Sequence, residues 1–539
     1  MAAILDAIRH VSMGNLVIFA VMFLASLLAL LAYLTMRGEK RVPGFPMASV
    51  PGLGPKLSWF FHGRRLLVEA AEKVSSLPPR RFRACRFTDW RSILQYTGPF
   101  QVMTGTGPRV VLPNRFIDEI RNHPHTSFIK AVAEDFFIDY HGYEPFQLAH
   151  TDNKLIITMV RTKLTQAMDV IVNDMVDETA SSLHDVYGNV NAWETVYIKD
   201  TVLDLVTRIS SRVFLGRNLC RNKRWLHIAK NYTVQIFIAT QLIQMLPRAT
   251  RPFLRWIIPQ YRASVRSVRD ARKLINPEVE RLGLMNQAAE EEEKKKKKKK
   301  KEYTAITWLR EVAKGREIDF AAAQMLLSLN AIHTTGEVLT QAMVDICEFP
   351  GVVGPLRQEI VRVISQHGWS KKSLGDLELM DSFLRESQRH QPMGIATMIR
   401  LVEKDITLSD GTLLPAGTGI KVLSNCQDLA TFAADPDEFK PWRFFDMRQQ
   451  PGQQDTWHLV TPGKTHLLFG YGKHACPGRF FATLTLKIAL CYLLLKYDWQ
   501  FLPGTSRPAP ITFGDGITVS DKARFQCRRR QEEFSLEVN

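Results

Sequence analysis

Cysteine is scarce and scattered in this chain. Seven occur in 539 residues, at positions 85, 220, 347, 426, 476, 491 and 527, and no two form a C-x-x-C pair. The odd count and wide spacing exclude a disulfide framework and a paired-cysteine zinc site, and they suit a reducing compartment. Acidic residues are also short. Fifty-four Asp and Glu face seventy-one Lys and Arg, a formal charge of +17. Such an excess suits an anionic membrane surface or an acidic protein partner. Nucleic acid is the competing reading, but no zinc-finger spacing or basic–aromatic motif supports it, and no nucleic-acid partner is expected. No flavin or nicotinamide motif is present, so any electrons the chain uses must come from another protein. Hydrophobic content of 45% and charged content of 23% are ordinary for a globular protein.

One long apolar run stands near the start. Leu16 to Leu34 is nineteen residues with Ser26 its only plainly polar member. That length can span a bilayer as a helix. A cleaved signal peptide is the alternative, but its apolar region is usually shorter and no A-x-A site follows. Arg37, Lys40 and Arg41 follow directly, whereas the upstream segment carries only Arg9 and Asp6. The positive-inside rule places the bulk of the chain on the cytoplasmic side. We therefore expect an anchor segment over 1–36, a stiff connector over 37–56 built on Pro43, Pro46, Pro51 and Pro55, and one large domain over 57–539. Residues 287–302 are a Glu/Lys block and read as a solvated insert with no catalytic role.

Within the large domain the pattern is mostly helical from Trp59 to Thr240. Ile318–Cys347 reads as a long buried helix, apolar nearly all round, with the polar group Asn330, His333, Thr334 and Thr335 in its middle. Threonine hydroxyls bonding back to the preceding turn and a satisfied core histidine would account for that group. Residues 400–422 alternate and turn, with signals at Ser409-Asp410-Gly411 and Pro415-Ala416-Gly417, and predict short strands. Arg479 to Leu495 is nearly all apolar apart from Lys487 and predicts a buried helix. The expected fold class is mainly α with small β-sheets, preceded by one N-terminal transmembrane helix.

The most informative stretch runs from Phe469 to Ala482, FGYGKHACPGRFFA. It holds Cys476, with glycines at 470, 472 and 478 that give the backbone freedom to turn. The helix that should start near Pro477 would present amides and a positive dipole end to the sulfur. A lone cysteine in such a loop is ordinarily structural. The full spacing, F-x-x-G-x-x-x-C-x-G, resembles instead the haem-binding loop of the cytochrome P450 family. That resemblance implies Cys476 as the axial thiolate of haem b. It makes Phe469, Gly470, Gly472 and Gly478 parts of the haem cradle, and puts His474 where the family places a cation near a haem propionate.

Other segments follow the same family pattern. Glu386, Arg389 and Pro392 match E-x-x-R-x-x-P, and Pro441-Trp442-Arg443-Phe444 matches P-x-R-F. The resemblance implies a buried folding and haem-insertion network of Glu386, Arg389 and Arg443. The central helix resembles the oxygen-activating helix A/G-G-x-D/E-T-T. Ala331 then lies in the groove over the haem, Thr334 is the catalytic threonine, and His333 replaces the usual acid, as in fungal members with A-I-H-T-T. Arg400 takes the place of a propionate-binding arginine. Arg161 is a second candidate, although Ile157 stands where the family's Trp-x-x-x-Arg would have tryptophan. Gly394–Met398 and the loop near Phe513–Ile517 would line the substrate pocket.

As a whole the resemblance implies a cytochrome P450 fold and a haem-thiolate monooxygenase. Its expected substrate is a lipophilic molecule, a terpenoid or polyketide intermediate of fungal secondary metabolism. Electrons would come from NADPH through a separate cytochrome P450 reductase, at the cytoplasmic face of the endoplasmic reticulum membrane and in contact with its lipid. A haem-thiolate isomerase or dehydratase that uses no dioxygen, and a haem-binding protein without turnover, remain as alternatives.

Overall fold

The computed structural model describes residues 41–74, 98–188, 191–282, 303–424, 431–432, 435–534 and 536. The expected anchor, the first residues of the connector and the Glu/Lys insert lie outside the described residues, as do Cys85 and Cys426. Among the described residues no helix is long and apolar enough to cross a membrane.

The main helices are α1 (Pro55–Val74), α2 (Phe128–Asp135), α3 (Asn153–Met159), α4 (Met168–Tyr187), α5 (Ile198–Leu215) and α6 (Lys223–Met245). They continue with α7 (Pro259–Arg281), α8 (Phe320–Glu348), α9 (Val353–His367), α10 (Glu378–His390) and α11 (Arg479–Lys496). The strands are few and short. β1 (Phe100–Met103), β2 (Pro108–Leu112) and β3 (Thr126–Ser127) fall between α1 and α2, and β4 (Glu194–Tyr197) between α4 and α5. After α10 come β5 (Ala396–Val402), β6 (Ile406–Thr407), β7 (Leu413–Leu414) and β8 (Gly419–Leu423). The last four are β9 (Tyr497–Phe501), β10 (Ile511–Phe513), β11 (Gly516–Thr518) and β12 (Arg524–Arg529). The largest sheet has the order β1-β2-β8-β5-β3, and the other three have two or three strands each. The fold is thus mainly helical with small sheets.

Helix α8 sits at the centre, as a helix apolar on every side must. Asp319 caps it by accepting a hydrogen bond from the Ala322 amide. It packs against α5, α6, α7 and α11. Its middle departs from this burial at Asn330 and Thr334, which are exposed while Leu329, Ile332 and Thr335 around them are buried. These two positions face a cavity rather than the protein surface.

Helix α11 explains its one internal cation. Lys487 is 2% exposed, pairs with buried Asp381 at 2.9 Å, and donates to the carbonyls of Leu374 and Leu377. Its charge is neutralised and its hydrogens are used, so the lysine is tolerated in an apolar layer.

Candidate functional site

The loop before α11 turns twice through left-handed backbone. Gly470 has φ +67° and Gly472 φ +78°. A Cβ on Gly472 would come within 2.7 Å of the Arg121 carbonyl oxygen, so side chain and backbone both forbid a larger residue. Gly478 differs from the sequence expectation. It has an ordinary φ of −89° and needs no special freedom. Its amide and that of Arg479 instead bond to the Cys476 sulfur, and α11 begins at Arg479 rather than at Pro477. The Cys476 amide donates to the Phe469 carbonyl at 2.7 Å, which closes the loop on itself.

Cys476 lines a cavity of about 490 Å³ between this loop and α8. Phe469, His474, Ala475, Pro477 and Gly478 line the loop side, and Leu326, Asn330, Ala331, Thr334 and Val338 line the α8 side. Phe128, Phe136 and Phe237 add aromatic walls from α2, the segment just beyond it, and α6. Burial pushes the Cys476 thiol above its ordinary value, and the two amides and the Arg479 charge oppose this. A bound metal ion would deprotonate the sulfur outright.

Cations gather at one edge of the cavity with no carboxylate among the described residues to pair them. Arg161 lies in a π-helical turn, Val160–Leu164, directly after α3, and reaches the Lys473 carbonyl at 3.4 Å. Arg400 is 2% exposed, and among the described residues its guanidinium bonds only to the Ile399 carbonyl and the Met398 sulfur, with Nε unpartnered. Burial lowers its pKa to about 10, so it stays charged at neutral pH. Arg400 does not itself line the cavity; it follows a register shift in β5 between Thr397 and Arg400, with Met398 at φ +55°. It lies behind Phe128, which also meets the His474 ring at 6.0 Å. His474 Nε2 is buried and has no partner among the described residues, and burial and the charges of Arg400, Lys473 and Arg161 hold its pKa down at about 4. A flat cofactor with an iron for the sulfur and carboxylates for this edge fits these residues.

His333 falls elsewhere. It follows Ile332 and precedes Thr334 on α8, but about 100° separates successive helical side chains. Its ring is absent from the cavity wall, and Nε2 donates to the Lys230 carbonyl of α6 at 2.7 Å. Burial keeps its pKa below the ordinary value, which leaves a neutral ring. The placement gives a tie between α6 and α8, not a proton source in the cavity. Thr334 does face the cavity, and its hydroxyl donates to the Asn330 carbonyl at 2.7 Å.

Two other pocket expectations are also corrected. Met393 reaches the cavity, but 394–398 do not. Gly394 and Thr397 line a separate void of about 90 Å³. Phe513 is turned outward and packs edge-on against Phe60. Asn330 was visible in the sequence only as one of four polar residues in an apolar helix.

Glu386, Arg389 and Arg443 come together in a buried network beside the loop. Glu386 is fully buried, and its two oxygens accept from Arg389 Nε at 2.7 Å and Arg389 Nη2 at 2.8 Å. Oε1 also takes Arg443 Nε at 3.2 Å and the Lys440 amide at 2.9 Å. The arginines then bind the carbonyls of Pro436, Glu438 and Asp435. One carboxylate so fastens the 435–443 segment to α10.

His466, ten residues before the cysteine, is buried and donates Nε2–H to the Leu459 carbonyl at 2.9 Å. Burial drops its pKa from 6.5 to about 3. The unfolded chain therefore binds a proton that the folded chain refuses between these values, and stability is lost as pH falls through that window. Acid unfolding followed by circular dichroism should show this loss below pH 6.5, smaller in His466→Gln. Identical pH slopes for both proteins would refute it.

The comparisons agree with this geometry. The sequence model of the family described as Cytochrome P450 matches residues 100–526. The chain is 39% identical to cytochrome P450 monooxygenase bsc11 of Alternaria brassicicola over 81% of this chain and 85% of that protein. It is 36% identical to cytochrome P450 monooxygenase bsc2 of the same organism over 95% and 94%. It is 38% identical to cytochrome P450 monooxygenase ptmU of Penicillium ochrochloron over 81% and 85%. A family match across most of the chain brings with it thiolate-ligated haem, a small-molecule substrate and a redox partner. The chain belongs to the cytochrome P450 family and is an oxidoreductase of its monooxygenase class.

Proposed function

We propose that this protein inserts one oxygen atom into a C–H bond of a lipophilic small molecule, a terpenoid or polyketide intermediate of fungal secondary metabolism. The observation that carries the reading is one cavity with Cys476 on one wall and the Thr334 hydroxyl on the other, between apolar sides. The fungal sources of the relatives support the pathway class. Cys476 Sγ would bind the iron of haem b, and Phe469, Gly470, Gly472 and Gly478 would cradle the group on that side of the cavity. Arg400, His474 and Arg161 would hold its propionates. Haem, when bound, supplies the reductive activation of dioxygen. One oxygen atom enters the substrate, and the other leaves as water with two electrons and two protons. Those electrons come from NADPH through a separate cytochrome P450 reductase.

Thr334 positions the incoming protons. Its side chain can turn from the Asn330 carbonyl toward the cavity, so it passes hydrogen bonds between water and the reacting oxygen. Thr334→Val should lower the product formed per NADPH oxidised by roughly 100-fold. Paired measurement of NADPH loss and product checks this, and unchanged coupling would refute the role. A strict need for NADPH and O2 separates this function from an isomerase, a dehydratase or a haem carrier.

The endoplasmic reticulum membrane is the proposed location, with a single anchor over 16–34 and the catalytic domain in the cytoplasm. The basic residues after that run support the orientation. Exposed Phe61 near the start of α1, and exposed Phe253, Trp256 and Ile257 interleaved with Arg251 and Arg255, suit contact with an anionic lipid surface.

A further inference from the structure

We propose that Asn330 selects a substrate that already carries a hydroxyl or carbonyl oxygen. This rests on the monooxygenase reading and names the substrate class within it. Asn330 is exposed to the cavity from the middle of α8, where the surrounding wall is Leu326, Leu329, Ala331 and Val338. A carboxamide has two N–H donors and one acceptor oxygen. Nδ2 donates to the Leu326 carbonyl at 2.7 Å. Only the nitrogen can make that bond, so the amide orientation is fixed. Oδ1 and the second N–H are left to the cavity, and Oδ1 has no protein partner among the described residues.

An entirely apolar ligand filling this space would strip water from Oδ1 and return nothing. A ligand hydroxyl would donate to Oδ1, and a ligand carbonyl would accept from Nδ2. Sites built around such a group discriminate strongly against analogues that lack the matching oxygen. The geometry also sets where that oxygen lies. Asn330 is four residues before Thr334, so the two side chains neighbour one another, about 5–6 Å apart, on one helix face. A substrate oxygen bound to Asn330 then sits roughly one helical turn along α8 from the Thr334 side chain. The reaction that supplies the substrate must leave it bearing oxygen, whether by hydroxylation, by a cyclisation ended by water capture, or by a condensation that retains a carbonyl.

The test uses the full-length haem-loaded protein and three probes of one shape: adamantane, adamantanol and adamantanone. Their dissociation constants are read from the ligand-induced spin-state shift of wild type, Asn330→Leu and Asn330→Ser. Asn330→Leu should weaken the alcohol and ketone about tenfold while leaving the hydrocarbon unchanged or tighter, and Asn330→Ser should recover part of the alcohol's affinity. Equal changes for all three probes, or none, would overturn the proposal. So would a selection that survives in Asn330→Leu, because the selecting group would then be another, such as His150. The reduced carbon monoxide spectrum of each variant keeps the two readings apart. A normal thiolate spectrum with no probe selectivity sinks only the Asn330 assignment, and loss of that spectrum in wild type sinks the monooxygenase reading itself.

Discussion

Arg389→Ala should leave little folded protein. Its guanidinium makes two hydrogen bonds to fully buried Glu386 and reaches the carbonyls of Pro436 and Glu438. Removing it leaves a buried carboxylate with Arg443 as its one remaining arginine, and two chain segments without their fastener. Breaking a buried pair in this way costs about 3–5 kcal/mol. A domain is commonly stable by about 5–15 kcal/mol, so the loss takes much of the margin. Arg389→Lys should not rescue it, because a single ammonium cannot copy the guanidinium fork. Soluble yield and thermal unfolding of purified protein check this. A variant that melts within a few degrees of wild type would show that the network carries little of the fold.

Arg400→Leu is expected to act with opposite signs on two states. In the haem-free protein Arg400 is a buried charge without a carboxylate, and burial already disfavours its charged form. Replacing it with a hydrocarbon should stabilise that state by on the order of 2 kcal/mol. In the haem-loaded protein the same change removes a propionate partner, and haem retention should fall by about tenfold or more. Chemical unfolding of the haem-free form and haem transfer to apomyoglobin give the two readings separately. If Arg400→Leu destabilises the haem-free protein and leaves haem retention intact, Arg400 has a structural role only.

The parts legible in the sequence were those fixed by chain-local spacing. The cysteine loop, the E-x-x-R turn and the buried central helix each place their residues within a few positions of one another, so backbone geometry carries them. Arg443 lies 54 residues beyond Arg389 and still falls beside Glu386, because its own short motif marks it. What the sequence did not show were side-chain directions set by tertiary contacts. His333 turns from the cavity because α6 offers the Lys230 carbonyl on its other side. The segment from Gly394 to Thr397 misses the cavity, and Gly394 and Thr397 face a separate void beside Arg389 and His466. Lys487 looked anomalous in an apolar helix until Asp381, more than one hundred residues earlier, arrived beside it.

The most direct test of the central claim is the carbon monoxide difference spectrum of the reduced protein, with wild type measured beside Cys476→Ala. The cavity, the amides aimed at the sulfur and the unpaired cations at its edge all predict a haem whose iron takes the Cys476 thiolate. Wild type should then show a strongly red-shifted Soret band that vanishes in Cys476→Ala. A wild-type spectrum of nitrogen-ligated haem, or a red-shifted band that survives without Cys476, would contradict it.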